Sequence, residues 1–392
     1  MTSDSKIWTK RFISLFLTNM SVFFVFYGLV NVLPLYVTDE LHLGSKEAGL
    51  LLTTFLVSAI ITRPFIGKIL DVVGKRKMLI FSIFMYVATT ILYIFIKPFA
   101  ILLLLRFIQG VFFSVLTTAN NTIAADIVPP AKRGQGLGYF GMSQNLAIVL
   151  GPFVALLIVQ YLNFNTLFIV MSVVVILGAL LTLTIRVHET EFPEGKPKLR
   201  FSKSDLLEKK ALPTALIGMF VAFSYSAVLS FLAVYAKEKG LLETASVFYF
   251  VFAAAMLFSR PFTGKIFDTK GPNYIIIPGF ILFILGLVAM AIMPNTAVFL
   301  LAGVLIGLGY GSLVPSLQTL SVQRAAHNRT GYATATFFTF FDIGIAVGSA
   351  ILGSVAASAG YSALYWVAGI VLTIITLIYV CITLMNRKSY QL

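Results

Sequence analysis

Long runs of apolar residues constrain this chain more than any other feature of its sequence. Twelve of them have the length that a helix needs to cross a bilayer, about 20 residues. They lie near residues 12–38, 46–66, 78–96, 99–126, 135–160, 165–185, 211–236, 246–263, 274–293, 296–322, 332–355 and 362–385. Apolar residues make up 59% of the chain and charged residues 11%, against about 45–50% and about 25% in a soluble domain. This composition excludes a soluble enzyme, a nucleic-acid-binding module and a disordered protein, and it predicts an all-α membrane protein.

Basic residues are distributed unevenly between the two sides of the predicted membrane protein. Of the 29, Lys46, Lys97, Lys237 and Lys239 lie in loops after odd-numbered segments, and Arg106 lies within a segment. We assign the other 24 to the termini and to loops after even-numbered segments. Because Lys and Arg collect on the cytoplasmic side, both termini are predicted to be cytoplasmic in a plasma membrane. The net charge of +14 is then expected to face the anionic inner leaflet rather than nucleic acid.

The second half of the chain repeats features of the first. Twelve residues from Arg63 (RPFIGKILDVVG) and twelve from Arg260 (RPFTGKIFDTKG) share eight identities at an offset of 197, close to half the chain length. At the same offset Gly110, Gly134 and Gly151 align with Gly307, Gly331 and Gly348. We predict two pseudo-symmetric six-helix bundles, 1–185 and 211–392, joined by a polar cytoplasmic linker at 186–210. Such duplicated bundles are typical of secondary transporters with a site near the membrane midplane.

A Gly-x-x-x-Asp-x-x-Gly-Lys-Arg pattern begins within the repeat. It resembles the signature loop of the major facilitator superfamily, between that family's second and third helices. The second copy lacks the basic pair, and Asp126 and Arg133 resemble other parts of the same cytoplasmic charge network. The resemblance implies a conformational switch formed by Gly67, Asp71, Gly74, Lys75, Arg76, Asp126, Arg133, Gly264, Asp268 and Gly271. A basic loop without a gating role is the alternative.

The fourth segment contains a charge. Arg106 precedes Gln109 in a pattern that resembles the family's fourth-helix motif. A charged side chain at the bilayer centre costs about 2.5–3.5 kcal/mol on insertion scales, so Arg106 is expected to face the bundle interior or a water-filled cavity. The resemblance implies that Arg106 assists proton transfer. An arginine that ties the fourth helix to a neighbour is the alternative.

The fifth segment bears on the direction of transport. Gly138, Gly151 and Pro152 resemble part of the antiporter motif of drug–proton exporters, although Ala147 and Ala155 stand where that motif has glycine. Small residues let helices approach closely, and proline bends a helix. The partial match favours export over import.

Asp342 is the only acidic residue in the middle of any predicted segment. Desolvation makes its protonation feasible near neutral pH, and intramembrane ionisable groups mark transport pathways. At the offset of 197, Asp342 aligns with Asn145 and Arg106 aligns with Gly303. Charges present in one half only suit an asymmetric task, so Asp342 and Arg106 are predicted to couple proton movement to transport. A carboxylate locked to a neighbouring helix is the alternative for Asp342.

Other polar residues inside the segments are candidates for a substrate cavity. They are Tyr27, Asn31, Gln109, Asn120, Asn121, Gln144, Asn145 and Gln318. Polar bridges between helices are the more common role of such residues. The sequence holds no P-loop, no HExxH, no GxSxG and a single cysteine. It therefore predicts no ATPase, no enzyme, no cofactor and no metal site.

These features identify the sequence as a member of the major facilitator superfamily, with most resemblance to its twelve-helix drug–proton antiporters. The resemblance implies proton-coupled export of lipophilic or amphiphilic small molecules by alternating access. The partners are then a small-molecule substrate, protons and the bilayer. A dedicated exporter of a metabolite, a metallophore, a sugar or a lipid-linked sugar is the alternative, and a non-transporting membrane receptor is a further one. The short loops suit a bacterial membrane, and a monomer is the family expectation.

Overall fold

All regular secondary structure in the described part of the chain is helical. The structure is a computed structural model that describes residues 7–43, 45–187, 189, 202 and 206–389. The α-helices are α1 (Lys10–Leu35), α2 (Ser45–Val73), α3 (Lys75–Leu92), α4 (Phe99–Ile127), α5 (Arg133–Tyr161), α6 (Phe164–Leu183), α7 (Leu212–Glu238), α8 (Leu242–Lys270), α9 (Asn273–Ile292), α10 (Thr296–Arg324) and α11 (Thr330–Ser389). Among the described residues, ten of these helices are long and apolar enough to cross a membrane. The predicted all-α class is confirmed.

Several of the described helices begin at side chains that satisfy free backbone donors, and α1 and α6 are two of them. The N–H of Phe12 donates to Thr9 Oγ1 at 3.2 Å, so Thr9 caps α1. The N–H of Thr166 donates to Asn163 Oδ1 at 2.8 Å, so Asn163 caps α6. Thr and Asn are preferred at this position because their oxygen replaces a missing intrahelical acceptor.

The internal repeat extends to whole helices. The boundaries of α2 and α8 are 197 residues apart at both ends, and so are those of α4 and α10. The 3₁₀ turns Pro130–Lys132 and His327–Arg329, which precede α5 and α11, follow the same offset. The duplication predicted from a twelve-residue match therefore covers entire structural elements.

The last helix is much longer than one membrane crossing. The apolar part of α11 runs from Thr330 to Thr383, which is 54 residues, whereas one crossing needs about 20. Gly360 interrupts this helix, with non-helical φ of 85° and ψ of 167°. The two final predicted segments, 332–355 and 362–385, both fall on α11 and lie on either side of this kink.

The chain forms two compact units. Unit 1 comprises residues 1–130, 140–208 and 325–336, and within it α2 and α3 pack against α4 and α1 packs against α6. Unit 2 comprises residues 131–139, 209–324 and 337–392, and within it α10 packs against α7, α8 and α9. The first turns of α5 and of α11 thus belong to a different unit from the rest of each helix. The division at a linker stays a prediction, because most of 186–210 lies outside the described residues.

Glycines allow the closest helix approaches within each unit. A Cβ atom on Gly110 of α4 would lie 2.4 Å from the carbonyl oxygen of Phe55 on α2. A Cβ atom on Gly307 of α10 would lie 2.5 Å from the carbonyl oxygen of Phe252 on α8. Lipid provides no hydrophobic drive for helices to associate, so close backbone packing at small residues takes its place.

Large apolar side chains cover the outer faces of the helices. Phe95 is 72% exposed and Phe258 is 77% exposed, and many leucines and isoleucines are exposed as well. Apolar surface on this scale marks a membrane-facing protein. The helices therefore place apolar residues both in the unit interiors and on surfaces suited to lipid.

Replacing Gly307 with alanine is expected to destabilise the protein by about 1–3 kcal/mol, because the added methyl group would collide with backbone rather than with a movable side chain. The measurement is the melting temperature of the purified protein in detergent. The control is Gly369→Ala, whose Cβ would meet nothing closer than Leu287 Cβ at 3.8 Å. Equal melting temperatures for the two variants would contradict the close packing of α8 against α10.

Candidate functional site

The signature pattern lies on helix ends rather than in a loop. Gly67 and Asp71 belong to the last turns of α2, which continues beyond its predicted end at residue 66. Gly74 alone separates α2 from α3, and its φ of 103° is a conformation that side-chain-bearing residues rarely adopt. Gly271 has a φ of 99° at the equivalent place between α8 and α9. Our interpretation of the pattern as a loop is wrong for Gly67 and Asp71, because the backbone leaves the helical conformation only at Gly74.

Asp71 is buried in unit 1 beside the first turn of α11. Its carboxylate accepts a hydrogen bond from the Tyr332 side chain, and Lys75 and Arg329 are among the cations that act on it. Gly67 makes the approach possible, since a Cβ there would lie 2.9 Å from the Cα of Tyr332. Arg329 also lies over the Tyr332 ring, 4.2 Å from its centroid. The cations and the hydroxyl offset part of the cost of burying the carboxylate, and desolvation remains the largest effect on it.

The basic pair of the pattern joins α3 to two neighbours in unit 1. The Nζ atom of Lys75 lies 2.6 Å from Asp126 Oδ2 at the end of α4. The guanidinium of Arg76 donates to the carbonyl of Ile185, just after α6, at 3.1 Å. Glu189 caps α3 by accepting the backbone N–H groups of Lys75 at 2.8 Å and Arg76 at 3.0 Å. A carboxylate at a helix N-terminus is favoured by the helix dipole and by the free N–H groups.

The second copy of the pattern caps another helix, in unit 2. The Asp268 carboxylate accepts the backbone N–H groups of Gly134 at 2.9 Å and of Gln135 at 2.8 Å, in the first turn of α5. A Cβ on Gly264 would lie 2.5 Å from the Cα of Gln135, which is the repeat equivalent of Tyr332. Arg133 is the first residue of α5. Both copies therefore place a glycine against a helix backbone and a carboxylate at the start of that helix.

Glu208, near the C-terminal end of the predicted linker, forms a further ion pair in unit 1. Arg329 pairs with Glu208 through its Nε atom, and the backbone N–H of Glu208 donates to Thr336 Oγ1 at 2.8 Å. Glu208 is buried although it follows a polar stretch of sequence. The start of α11 is thus held both by the residues of the signature pattern and by the end of the linker.

Arg106 is almost completely buried, at 1% exposure, as its position in an apolar segment predicts. Its Nη1 atom donates to Gln109 Oε1 at 2.9 Å, and the Tyr93 hydroxyl donates to the same oxygen at 3.0 Å. Gln109 in turn donates to Thr90 Oγ1 at 3.2 Å. The guanidinium also lies 4.9 Å from the centroid of the Phe55 ring. Arg106 therefore sits in an uncharged network that links α2, α3 and α4.

Several of the cavity candidates form bridges between helices of unit 1. Asn120 on α4 donates to Asn19 Oδ1 on α1 at 3.3 Å, and Asn19 donates to Ser143 Oγ on α5 at 2.8 Å. Gln144 on α5 donates to the hydroxyl of Tyr27 on α1 at 3.2 Å. These contacts tie α1 to α4 and α5.

The remaining cavity candidates are dispersed. Asn121 donates to the backbone carbonyl of Thr117 in its own helix at 2.8 Å. Asn145 is buried, and its Nδ2 atom has no hydrogen-bond partner in the described part of the chain. Gln318 is buried on α10 in unit 2. The side chain of Asn31 lies outside what the structure describes. The structure thus joins some candidates in pairs without gathering the whole set, and their predicted role stays a prediction.

The antiporter-like residues of α5 fall in two places. Gly151 packs against α1, where a Cβ would lie 2.7 Å from the carbonyl oxygen of Phe24, and Pro152 follows it within the helix. Gly138 lines a small pocket in unit 2 with Gly264 and residues of α10. The predicted role of these residues in close helix approach fits Gly151, and their role in transport direction stays a prediction.

Asp342 is half-buried on α11 within unit 2. It follows Phe341, whose ring stacks on Phe337 with centroids 6.2 Å apart. Asn145, its equivalent in the first half, is more deeply buried at 3% exposure. The Asp342 side chain therefore occupies a partly accessible position, and its coupling role stays a prediction.

Two buried arginines were missed by the sequence analysis. The charge count assigns Arg63 and Arg260 to the cytoplasmic side, but they lie inside α2 and α8 and are only 4% and 3% exposed. Arg63 donates from Nη1 to the hydroxyls of Thr117 at 3.4 Å and Thr118 at 3.3 Å. Their position in the sequence could have predicted this burial, because both arginines lie within predicted membrane segments and are equivalent in the internal repeat.

The helical repeat, the close helix pairs and the apolar outer faces together define a polytopic membrane protein built by duplication. The sequence matches the Major Facilitator Superfamily profile over residues 15–349. The chain belongs to the major facilitator superfamily, a family of transporters and not of enzymes.

Relatives and solved structures agree with this assignment. Multidrug resistance protein MdtG from Salmonella dublin is 28% identical over 357 residues, which cover 87% of each chain. The protein of that name from Enterobacter lignolyticus is 28% identical over 391 residues, covering 94% of this chain and 91% of its own. The crystal structure of the human organic anion transporter MFSD10 (TETRAN) matches with a TM-score of 0.81 and 16% identity, over 94% of this chain and 98% of that chain. This last likeness shows the shared fold.

The ion pair between Lys75 and Asp126 can be tested by a double-mutant cycle. Lys75→Met leaves the Asp126 carboxylate without its cation and is expected to lower the melting temperature, at a cost of about 3–5 kcal/mol if the site stays dry. Asp126→Leu in the Lys75→Met background should restore part of the loss, since no uncompensated charge then remains. Additive effects of the two substitutions would show that the pair makes no coupled contribution to stability.

Proposed function

We propose that this protein is a drug-efflux transporter of a bacterial plasma membrane, which exports lipophilic or amphiphilic small molecules in exchange for protons. The observation that carries the proposal is the similarity to proteins named multidrug resistance protein MdtG, which extends over 87% to 94% of the chain. The partial antiporter motif on α5 and the half-buried Asp342 support the same function. Transport proceeds by alternating access, in which the site opens to one side of the membrane at a time.

The proposed topology has twelve crossings in two six-helix bundles, with both termini in the cytoplasm. The kink at Gly360 supports counting α11 as two crossings. The apolar part of α3 supports counting that helix as one, although Lys75, Arg76 and Lys77 occupy its first turn. The excess of basic residues in loops after even-numbered segments supports the orientation, with the anionic inner leaflet as the partner of those loops. The protein is proposed to act as a monomer.

The proposed coupling residue is Asp342. It would release its proton to the cytoplasm, open to a substrate and take up a proton again from the outside. The membrane potential contributes about 2.3 kcal/mol per charge per 100 mV to such a cycle. Half-burial supports this role. The carboxylate is accessible enough to exchange a proton, and partial desolvation makes its charged form more costly than it is in water. Arg106, buried in its network, would assist by placing a fixed positive charge in the other half of the chain.

The residues at the helix ends are proposed to form the conformational switch. Asp71 and Asp268 each contact the start of a helix whose remaining residues belong to the other unit. Breaking such a contact leaves backbone N–H groups or a buried carboxylate without a hydrogen-bond partner, and this costs free energy. Contacts of this kind can hold one conformation until substrate and protons bind.

Transport in everted vesicles under an imposed pH gradient tests the proposal. A panel of lipophilic dyes and drugs should accumulate in vesicles that contain the wild type and should fail to accumulate with Asp342→Asn. The matched control is Glu238→Gln, which removes an exposed acid at the end of α7 and should leave transport unchanged.

The outcomes separate the alternatives. Transport that persists in Asp342→Asn would keep the exporter and reduce Asp342 to a structural role. Failure to transport any compound of the panel would favour a dedicated exporter of a metabolite, a metallophore, a sugar or a lipid-linked sugar. Binding in sealed vesicles without accumulation would favour a receptor.

A further inference from the structure

Arg260 is a buried cation without the partners that a buried cation normally has. It lies in the candidate membrane span Val247–Lys270 and is 3% exposed. Within the described part of the chain, its Nε and Nη1 atoms have no hydrogen-bond partner. Guanidinium groups are planar sets of donors, so unmet donors in a dry interior are costly.

The internal repeat shows what is missing around Arg260. Its equivalent in the first half is Arg63, which donates to the hydroxyls of Thr117 and Thr118 on α4. The residues of α10 that correspond to those two threonines, at the offset of 197, are Val314 and Pro315. Neither side chain can accept a hydrogen bond. The second half therefore keeps the arginine and lacks the groups that hold it in the first.

The energetics argue against a purely structural role for Arg260. A charged side chain inside a membrane is expensive, and such residues normally pair with other groups or line a pathway. Arg106, the arginine of the fourth-helix motif, meets this requirement in part: its Nη1 atom donates to Gln109 and its guanidinium lies over Phe55, while its Nε atom has no hydrogen-bond partner in the described part of the chain. Within the described part of the chain, neither Nε nor Nη1 of Arg260 has such a hydrogen bond, so we expect an apolar residue at this position to make a helix pair that is at least as stable.

An aromatic cluster that includes Tyr310 belongs to the same unit as Arg260. Tyr310 on α10 is its electrostatic neighbour. The Tyr310 ring stacks on Tyr225 of α7 with centroids 3.8 Å apart, and Phe283 of α9 meets it edge-on at 5.9 Å. The electrostatic neighbour of the cation is thus one member of an aromatic cluster. An anionic group attached to an apolar or aromatic body would satisfy the guanidinium and pack on the rings.

We propose that Arg260 is the anchor for the acidic headgroup of an amphiphilic substrate, with Tyr310 and Tyr225 in contact with its apolar part. The assignment deepens the proposed function and rests on its alternating access, which gives the ligand a route to Arg260. Arg260 is closed off in this conformation, so the ligand reaches it when the transport cycle opens the site. The substrate class is then organic anions with an aromatic or aliphatic body, such as aromatic carboxylates.

Binding to the purified, full-length protein in lipid nanodiscs tests the assignment without requiring transport. The probes are radiolabelled 1-naphthoate and its neutral match 1-naphthamide. The wild type should bind 1-naphthoate at least tenfold more tightly than 1-naphthamide, because a hydrogen bond to a charged group is the stronger kind. Arg260→Gln should lose that preference and Arg260→Lys should keep part of it. Arg63→Gln is the matched control and should keep it in full.

Thermal stability provides a second measurement that does not depend on any ligand. Arg260→Met should melt at the same temperature as the wild type or higher, since Nε and Nη1 of the arginine make no hydrogen bond within the described part of the chain. Arg63→Met should melt lower, since the hydroxyls of Thr117 and Thr118 lose their donor. The contrast between the two repeat equivalents controls for general effects of the substitution.

The results that overturn the assignment are specific. Equal affinity of the wild type for the two probes, absence of 1-naphthoate binding, or an unchanged preference in Arg260→Gln would each reject an anion site at this residue. A melting temperature of Arg260→Met as low as that of Arg63→Met would show that Arg260 has a structural role. Anion-selective binding without transport would reject the proposed exporter and support the anion site. Transport without anion-selective binding would support the exporter and reject the anion site.

Discussion

The close approach of paired helices at glycine is the constraint on which the rest of the structure depends. In unit 1 the carbonyl of Phe55 lies against Gly110, and the ring of the same phenylalanine lies under Arg106. In unit 2 the carbonyl of Phe252 lies against Gly307, and its ring stacks near Tyr310 at 6.4 Å. One backbone contact, made twice, therefore sets the helix spacing in both units, and in unit 1 it also places a ring against Arg106. A larger residue at either glycine would separate the helices and also disturb the polar groups beside them.

The duplication separates what builds the protein from what makes its halves different. Both halves keep the glycine pairs and the carboxylates Asp71 and Asp268 at helix starts. They differ where an acid at 342 corresponds to Asn145, and where the threonine partners of Arg63 have no counterpart beside Arg260. A symmetric scaffold cannot by itself give transport a direction or distinguish a proton from a substrate. We therefore assign the proposed proton coupling and anion recognition to positions where the two halves differ.

Much of the fold could be predicted from the sequence, because apolar runs of membrane-spanning length allow few structures. The predicted segments match α1 to α10 in order, and the repeat was visible in twelve residues. The extension of α2 through Asp71 was not predictable in the same way. Glycine and charged residues there suggest a turn, and only the backbone angle of Gly74 shows where the helix ends.

The candidate site was less predictable, since it depends on contacts between distant segments. Burial of Arg106 follows from its position in an apolar run, but Tyr93, which donates to the same Gln109 oxygen, lies at the end of another helix, α3. The cap that Glu189 provides to α3 joins a linker residue to the signature pattern, and no local spacing indicates it. Arg260 shows the same limit, because the loss of its partners appears only when α10 is placed against α8 and compared with the first half.

Proton flux across the membrane of proteoliposomes measures the central claim most directly. The purified wild type would be reconstituted with a pH-sensitive dye inside, and a transported compound would be added on one side without any imposed gradient. The account predicts that each addition moves protons in the direction opposite to the compound, and that a protonophore removes the pH change while compound movement continues. Compound movement with no accompanying proton movement would contradict a proton-coupled exporter.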